Sequence, residues 1–277
     1  MAEKTPLVSI VIPTFNQGQY LSACVDHCLF QTYPNLEIII VDGGSTDSTK
    51  EYLERLPEKI ATRTMQPVIS MNEDGEIIRK SVISYPQNRH LEILSFSEDI
   101  GPTKTINEGL ARAKGMFCTY VVGDDLPHPH MIEEMVRVLE NEPVDFVYAD
   151  MNLVDDRGHI LRQIRLPDYT FEQCLARWFH LGVCRLYRRS LHEKAGLMDE
   201  TYTGANDYDH YLRFAMAGCR FLHLPKVLYS VRWHGPGRKT GQHTKKRYQN
   251  LLNESKHCAW RARKWYARSG QTPRLLL

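Results

Sequence analysis

The stretch VSIVIPTFN, residues 8–16, decides the fold of this 277-residue chain. Its β-branched residues predict a buried strand over residues 7–12, which ends at Pro13. A short polar turn follows, and residues 18–31 then carry apolar side chains at helical spacing. A buried strand that leads directly into an amphipathic helix is typical of a parallel α/β sheet.

The same alternation continues along the chain. Further strands are predicted at residues 38–41, 90–96, 117–122 and 146–149, and further helices at residues 45–56, 104–114, 130–141 and 207–217. We therefore predict an α/β fold with a mostly parallel mixed sheet flanked by helices. Residues 57–89 interrupt the alternation and are predicted to be an inserted hairpin with its turn at Asp74-Gly75.

Residues 1–237 are predicted to form one domain, and residues 238–277 a basic C-terminal helical tail. The tail contains eleven Lys/Arg and one acid, Glu254, so it carries +10, and the remaining residues carry −8 of the net +2. Basic residues mixed with aromatics predict contact with an anionic membrane surface. The alternatives are packing of the tail onto the acidic body or onto a second subunit in a homodimer. No nucleic-acid partner is expected, because no nucleic-acid motif accompanies the charge.

We expect a cytoplasmic protein. If the tail binds lipid, the protein is expected to associate peripherally with the inner face of the cell membrane. No run of apolar residues approaches the roughly 18 that a membrane span needs. The N-terminus enters the first strand too early for a secretory signal. Cys24, His27 and Cys28 invite a metal site, but a buried helix face is favoured because no second Cys pair stands at zinc-ligand spacing.

Polar and acidic residues follow four of the predicted strands, in residues 13–16, 42–45, 98–101 and 123–125. Open parallel sheets bind ligands at this edge. Carboxylates there can hold a divalent cation that neutralises a diphosphate, and oxygen ligands indicate Mn²⁺ or Mg²⁺. For any single aspartate, the alternative is a helix cap.

An ordered set of motifs resembles family 2 glycosyltransferases. The motifs lie in residues 8–16, 31–34, 41–49, 97–101, 107–109, 113–115, 123–125, 196–200 and 206–209, and the resemblance covers residues 7–234. It implies a GT-A fold with a Rossmann-like nucleotide-binding half. It also implies metal-dependent, inverting transfer of a sugar from a nucleoside-diphosphate donor, with UDP expected, to a hydroxyl acceptor in polysaccharide, glycolipid or glycoprotein assembly.

The resemblance also implies roles for individual residues. Asp42 is expected to contact the nucleobase, and Asp124 to lie near the ribose. Asp125 and His234 are the expected metal ligands, and Asp207 is the expected general base. The full set of expected donor-binding residues is Pro13, Thr14, Phe15, Asn16, Asp42, Asp99, Lys104 and Asp124.

Two positions depart from the family pattern. Gly123 stands where the metal motif often has an aspartate, and Asn206 stands where a glutamate often precedes the base. For Asp207 the alternative role is an N-terminal helix cap. Asp209 is predicted to pair with Arg213 at i,i+4 and to take no part in catalysis.

Two other classes of protein remain open. A sugar nucleotidyltransferase shares a nucleotide-binding α/β half, but its phosphate loop usually carries a basic residue, which residues 13–18 lack. A sugar-nucleotide sensor without catalysis is the non-enzymatic alternative. Asp207 argues against a sensor, whereas Gly123 and Asn206 keep it open.

Overall fold

A computed structural model describes residues 5–62, 66–71, 77–82, 85–86, 88–177, 180–234 and 245–269. Its strands are β1 (Val8–Thr14), β2 (Leu36–Asp42), β3 (Gln66–Met71), β4 (Ile77–Val82), β5 (Arg89–Ser95), β6 (Phe117–Tyr120), β7 (Leu126–Pro127), β8 (Phe146–Val154), β9 (Ile160–Ile164), β10 (Arg185–Arg188) and β11 (Phe221–Arg232). Its helices are α1 (Gly18–Leu29), α2 (Thr49–Ala61), α3 (Pro102–Arg112), α4 (Met131–Asn141), α5 (Phe171–Ala176), α6 (Leu191–Ala195), α7 (Asn206–Met216) and α8 (Lys245–Ser269).

Nine of these strands form one sheet, in which eight follow the order β5-β2-β1-β6-β10-β8-β11-β7 and β9 pairs with β8. The first four strands in this order are parallel, as are β8 and β11. Strand β10 runs antiparallel to both of its neighbours, and β7 and β9 are also antiparallel to their partners. Every residue of β1 and β2 is buried, because helices cover both faces of the sheet there. The predicted mixed, mostly parallel α/β sheet is confirmed.

The predicted boundary at residue 57 was wrong. Helix α2 continues through Pro57 to Ala61, although Pro57 cannot donate the usual helical hydrogen bond. Leu53 and Leu56, in the turn of α2 just before Pro57, are buried in the core and anchor the helix there. Strands β3 and β4 pair antiparallel as a separate two-stranded sheet. The turn predicted at Asp74-Gly75 lies outside the described residues.

Helix α8 packs against α5 and α7. Its buried face comprises Leu251, Ser255, Cys258, Ala259 and Ala262. The only acid of the predicted tail, Glu254, accepts hydrogen bonds from the backbone N–H groups of Thr203, Gly204 and Ala205 at 2.8–3.2 Å. These bonds serve the N-terminus of α7, whose own N-cap residue has no side-chain cap. One face of the basic helix is therefore part of the folded body.

Helix α1 buries Cys24 and Cys28 completely, as expected for a structural helix face. His27 lies between them, and its Nδ1 is 2.9 Å from the carbonyl oxygen of Pro127. Burial lowers the pKa of His27 to about 4, so the ring is neutral at physiological pH. Within the described ranges, no helix is both long enough and apolar enough to cross a membrane.

Candidate active site

The loops after β1 and β2 are tied together at the carboxyl edge of the sheet. The Gly43 N–H donates to the carbonyl oxygen of Thr14 at 2.9 Å. Asn16 adopts a left-handed backbone with φ of 53°. In this conformation its N–H donates to Ser45 Oγ at 2.9 Å, and its Oδ1 accepts from the Thr46 N–H at 2.8 Å. Pro13–Asn16 and Asp42, which the resemblance assigned to one pocket, therefore lie together.

Buried polar atoms without hydrogen-bond partners lie near the carboxyl ends of β1 and β2. Asp42 is fully buried, and its Oδ1 accepts from the Ser45 N–H at 2.9 Å. Its Oδ2, together with Thr14 Oγ1 and Gln17 Oε1, is buried and has no hydrogen-bond partner among the described residues. A Cβ atom at Gly123 would lie 2.7 Å from Gln17 Oε1 and 3.0 Å from Thr14 Oγ1. Gln17 and Thr14 therefore pack closely against residue 123 and leave no room for a side chain, which gives a physical reason for the departure from the family pattern.

The other residues expected to bind the donor lie at the same edge of the sheet. The side chain of Phe15 is 38% exposed, so part of its ring is free to contact a ligand. Asp99 Oδ1 accepts from the Gly101 N–H at 2.8 Å and turns the chain into α3. Lys104 is exposed in the first turn of that helix. The contacts of Asp99 and Lys104 give no evidence of a bound ligand, so their role in donor binding stays a prediction.

Asp125 is buried against strand β11. Its Oδ2 accepts from the hydroxyl of Tyr229 at 3.0 Å, and its Oδ1 accepts from the Arg232 N–H at 3.0 Å. Burial and the neighbouring charge of Asp124 raise the pKa of Asp125 well above its usual range. Each carboxylate oxygen of Asp125 therefore already accepts one hydrogen bond within the protein, and its expected role as the metal ligand stays a prediction.

Asp124 is the carboxylate that faces His234. Asp124 Oδ2 lies 2.8 Å from His234 Nε2, and Asp156 Oδ1 lies 2.7 Å from His234 Nδ1. Asp156 also accepts from the hydroxyl of Tyr20 at 2.8 Å. Burial acts to raise the pKa of Asp156, but the bonds from Tyr20 and His234 lower it overall. The imidazole is thus held in one orientation between two carboxylates.

The chemistry of this pair fits Mn²⁺ or Mg²⁺. A carboxylate oxygen of Asp124 and a ring nitrogen of His234 lie side by side at the carboxyl edge of the sheet. Considering only the described residues, no group of three or more His, Cys, Asp or Glu side chains is placed to hold a metal ion. Ions of this kind commonly take one or two protein ligands and complete their coordination with substrate phosphates and water.

Asp207 lies in the first turn of α7 and is half-buried. Its Oδ1 accepts from the N–H of the next residue, Tyr208, at 2.7 Å. The N-cap position belongs to Ala205, so Asp207 is not the N-cap. Burial raises the pKa of Asp207, and the positive charge of Arg185 opposes that rise. A half-buried carboxylate with a raised pKa at the edge of a ligand site is suited to accept a proton.

The neighbouring acid on α7 has a structural role. Asp209 is buried and accepts from Arg213 Nε at 2.7 Å, so the predicted i,i+4 ion pair is confirmed. Arg213 also donates to the carbonyl oxygens of Ala195 and Leu197 and thereby fixes α7 against the end of α6. Asp207 is the other acid on α7, and its expected role as the general base stays a prediction.

Sequence reasoning missed three residues that shape the site. Asp156, Arg185 and Tyr229 act through contacts with residues far away in the sequence, and no local pattern marks them. Glu254 could have been noticed, because a lone acid in a strongly basic helix calls for a structural reason.

Comparisons with known proteins identify the family of the chain. The sequence profile of Glycosyl transferase family 2 matches residues 9–66 and 70–196, and the chain belongs to that family. An uncharacterized glycosyltransferase of Rickettsia typhi is 29% identical over 221 residues, which are 76% of this chain and 59% of that protein. The chain therefore spans less than two thirds of that relative's length.

Two solved structures share the fold. The S. aureus TarS fragment 1–349 in complex with UDP-GlcNAc has a TM-score of 0.63 at 17% identity, covering 94% of this chain and 72% of that one. The mannosyltransferase PcManGT of Pyrobaculum calidifontis, in complex with GDP-Man and Mn²⁺, has a TM-score of 0.59 at 18% identity, covering 98% and 77%. The fold is the GT-A fold, as the sequence motifs predicted.

Proposed function

We propose that this chain transfers a sugar, with inversion, from a UDP-sugar to a hydroxyl acceptor, with a divalent metal bound at Asp124 and His234. One observation carries the proposal: Asp124 and His234 lie at the same sheet edge as Asp42, whose Oδ2 is buried without a hydrogen-bond partner among the described residues. That arrangement suits a molecule with a nucleobase at one end and a diphosphate at the other. The nucleotide sugars and Mn²⁺ bound to the two solved relatives support this assignment.

The chain's own residues then divide the chemistry between them. Asp42 accepts a hydrogen bond from the imide N–H of the base, and Phe15 lies against the nucleoside. Asp124 and His234 hold the cation, which when bound stabilises negative charge on the leaving diphosphate. Asp207 takes the proton of the acceptor hydroxyl. At the same time the acceptor oxygen bonds to the anomeric carbon of the sugar, and the bond from that carbon to the diphosphate breaks.

Release of UDP from a set of UDP-sugars, with Mn²⁺ and with EDTA, tests this function. We expect release with at least one donor in Mn²⁺ and its loss in EDTA. A sugar nucleotidyltransferase would instead form pyrophosphate from UTP and a sugar phosphate. A sensor would bind the nucleotide sugar and release nothing, even with a panel of glycan and lipid-linked acceptors. Either of those results contradicts the proposal.

Asp42→Asn is expected to weaken UDP binding about 30-fold, because an amide N–H would face the imide N–H of uracil. Calorimetric titration with UDP in Mn²⁺ measures the loss. CDP provides the internal control, since cytosine presents a ring acceptor where uracil presents a donor. Binding of CDP should stay constant or improve in the variant. An equal loss for both nucleotides would show that Asp42 does not read the base.

We also propose a peripheral contact with an anionic surface through the exposed face of α8. Lys256, Arg263, Lys264 and Arg268 are exposed there, and Trp260 is 52% exposed with Lys264 Nζ 3.7 Å above its ring. Because the apolar face of α8 packs on the body, such binding would be mainly electrostatic and sensitive to salt. A lipid-linked acceptor would suit this placement.

Replacing Lys256, Arg263 and Lys264 by Glu should abolish pelleting with vesicles that contain anionic lipid. Neutral vesicles serve as the control. The substitutions leave the buried face of α8 intact, which removal of residues 238–277 would not. Equal pelleting of both proteins would exclude this surface. The hydroxyl acceptor and a homodimer stay predictions.

A further inference from the structure

Arg185, the first residue of β10, is the largest fully buried side chain among those described. Its guanidinium carbon lies 3.6 Å from the ring centroid of Tyr120 and 5.7 Å from that of Tyr211. Nη1 donates to the carbonyl oxygen of Val183 at 2.8 Å. Nε and Nη2 have no hydrogen-bond partner within the described part of the chain.

Stability alone does not explain this arrangement. A buried guanidinium is usually paired with a carboxylate, because removing its charge from water is costly. Of the described residues, none forms an ion pair with Arg185, and the tyrosine rings compensate only part of that cost. The two unpartnered donors, Nε and Nη2, form the edge that binds carboxylates in a bidentate way.

The surroundings of Arg185 connect it to the site. Tyr120 ends the strand that leads to Asp124, and Tyr211 lies one helical turn beyond Asp207 on α7. The carboxylate of Asp207 is among the groups that raise the pKa of Arg185. Arg185 is thus a buried positive charge beside the ring of Tyr211, which stands one helical turn from Asp207, the carboxylate that the proposed function uses as its base.

We propose that Arg185 is a positioning residue for the base, whose charge keeps the Asp207 carboxylate ionised when a bound acceptor excludes water from the site. The inference rests on the proposed function insofar as Asp207 is the base. An ionised base is needed to accept the acceptor proton, and water exclusion by itself would favour the protonated acid.

The groups that act on Asp207 come from three elements. Strand β10 contributes Arg185, strand β6 contributes Tyr120, and α7 contributes Tyr211 and the Tyr208 N–H. Burial raises the pKa of both tyrosines, so they stay neutral through the physiological range. Arg185 is therefore the cation in this set, and its removal should raise the pKa of Asp207.

The test compares Arg185→Met and Arg185→Lys by two readouts. The first is the acidic limb of the pH profile of kcat/KM for transfer. The second is the titration of the ¹³C-labelled carboxyl of Asp207, assigned with Asp207→Asn. In Arg185→Met, the midpoint of the acidic limb and the pKa of the Asp207 carboxyl should both rise by about one pH unit or more, since a nearby opposite charge shifts the pKa of a carboxyl by that amount. Arg185→Lys retains the charge and should stay near the unsubstituted protein.

Arg188→Met is the matched control. Arg188 lies on the same strand with its guanidinium carbon 5.3 Å from the Phe117 ring centroid, but its donors reach the carbonyl oxygens of Leu139 and Val144. Loss of the Arg188 side chain should leave the titration curve of Asp207 unchanged. If Arg185→Met does not fold, Arg185→Gln, which is also uncharged, replaces it.

An unshifted Asp207 titration in the folded uncharged variant would overturn the inference. A shift of equal size in Arg188→Met would also overturn it, because the effect would then not belong to Arg185. The carboxyl titration needs no turnover. A shifted titration in a protein that transfers no sugar would therefore reject the proposed function and leave the electrostatic role of Arg185 standing.

Discussion

Asp207→Asn should lower the rate of sugar transfer about 1,000-fold and leave the binding of UDP and Mn²⁺ unchanged. An amide cannot accept the proton of the acceptor hydroxyl, and a positioned base contributes roughly 10²–10⁴-fold to such a step. The shape of the site should not change, because an Asn side-chain oxygen can still accept from the Tyr208 N–H as Asp207 does. Initial rates of transfer and calorimetric titration with UDP measure the two effects.

Asp209→Asn is the matched control for that variant. Asp209 lies on the same helix but holds Arg213 in an ion pair, so its loss should lower the melting temperature. Its turnover should persist at temperatures where the variant is folded. Transfer by Asp207→Asn within tenfold of the unsubstituted rate would mean that another group accepts the proton.

Asp124→Asn should weaken Mn²⁺ binding in the presence of UDP about 100-fold, and transfer should fall by a similar factor. An amide oxygen is a much poorer ligand than a carboxylate for a hard cation, and the proposed site has only two protein ligands. The bound metal also stabilises the leaving diphosphate, so a weaker site loses rate as well as affinity. Electron paramagnetic resonance of free Mn²⁺ gives the affinity.

Asp125→Asn distinguishes the two adjacent acids. Its side-chain oxygen can still accept from the Arg232 N–H, and its amide can donate to the hydroxyl of Tyr229. Replacing a buried carboxyl whose pKa is already raised should therefore change Mn²⁺ affinity by less than about threefold. The reverse order, with Asp125→Asn losing the metal and Asp124→Asn keeping it, would restore Asp125 as the ligand.

The first half of the fold could be predicted because its signals are local. Strands β1 and β2 are continuous β-branched runs, and each is followed directly by a helical pattern. Strand β10 gives no such signal, since it begins with Arg185 and ends with Arg188. The rings of Tyr120 and Tyr211, which lie against the buried guanidinium, are supplied by distant parts of the chain. Strand β9 was missed because its residues are mostly exposed.

The sequence predicts at which edge of the sheet the acidic residues stand, but not the direction in which each acidic side chain points. The motifs predicted that the acids stand at the carboxyl edge of the sheet, because parallel strands bring their carboxyl ends together. The direction in which each of the two adjacent acids points depends on the opposite strand. Tyr229 and Arg232 of β11, more than 100 residues further along, bind Asp125, while His234 faces Asp124. A sequence pattern at residues 123–125 does not contain that information.

A crystal structure with Mn²⁺ and UDP, with data collected at the manganese absorption edge, tests the central claim most directly. The account predicts one anomalous peak that is bonded to Asp124, His234 and the diphosphate, with the uracil imide N–H directed at Asp42 Oδ2. A peak on Asp125, or a nucleotide bound away from the edge formed by β1, β2 and β6, would contradict it.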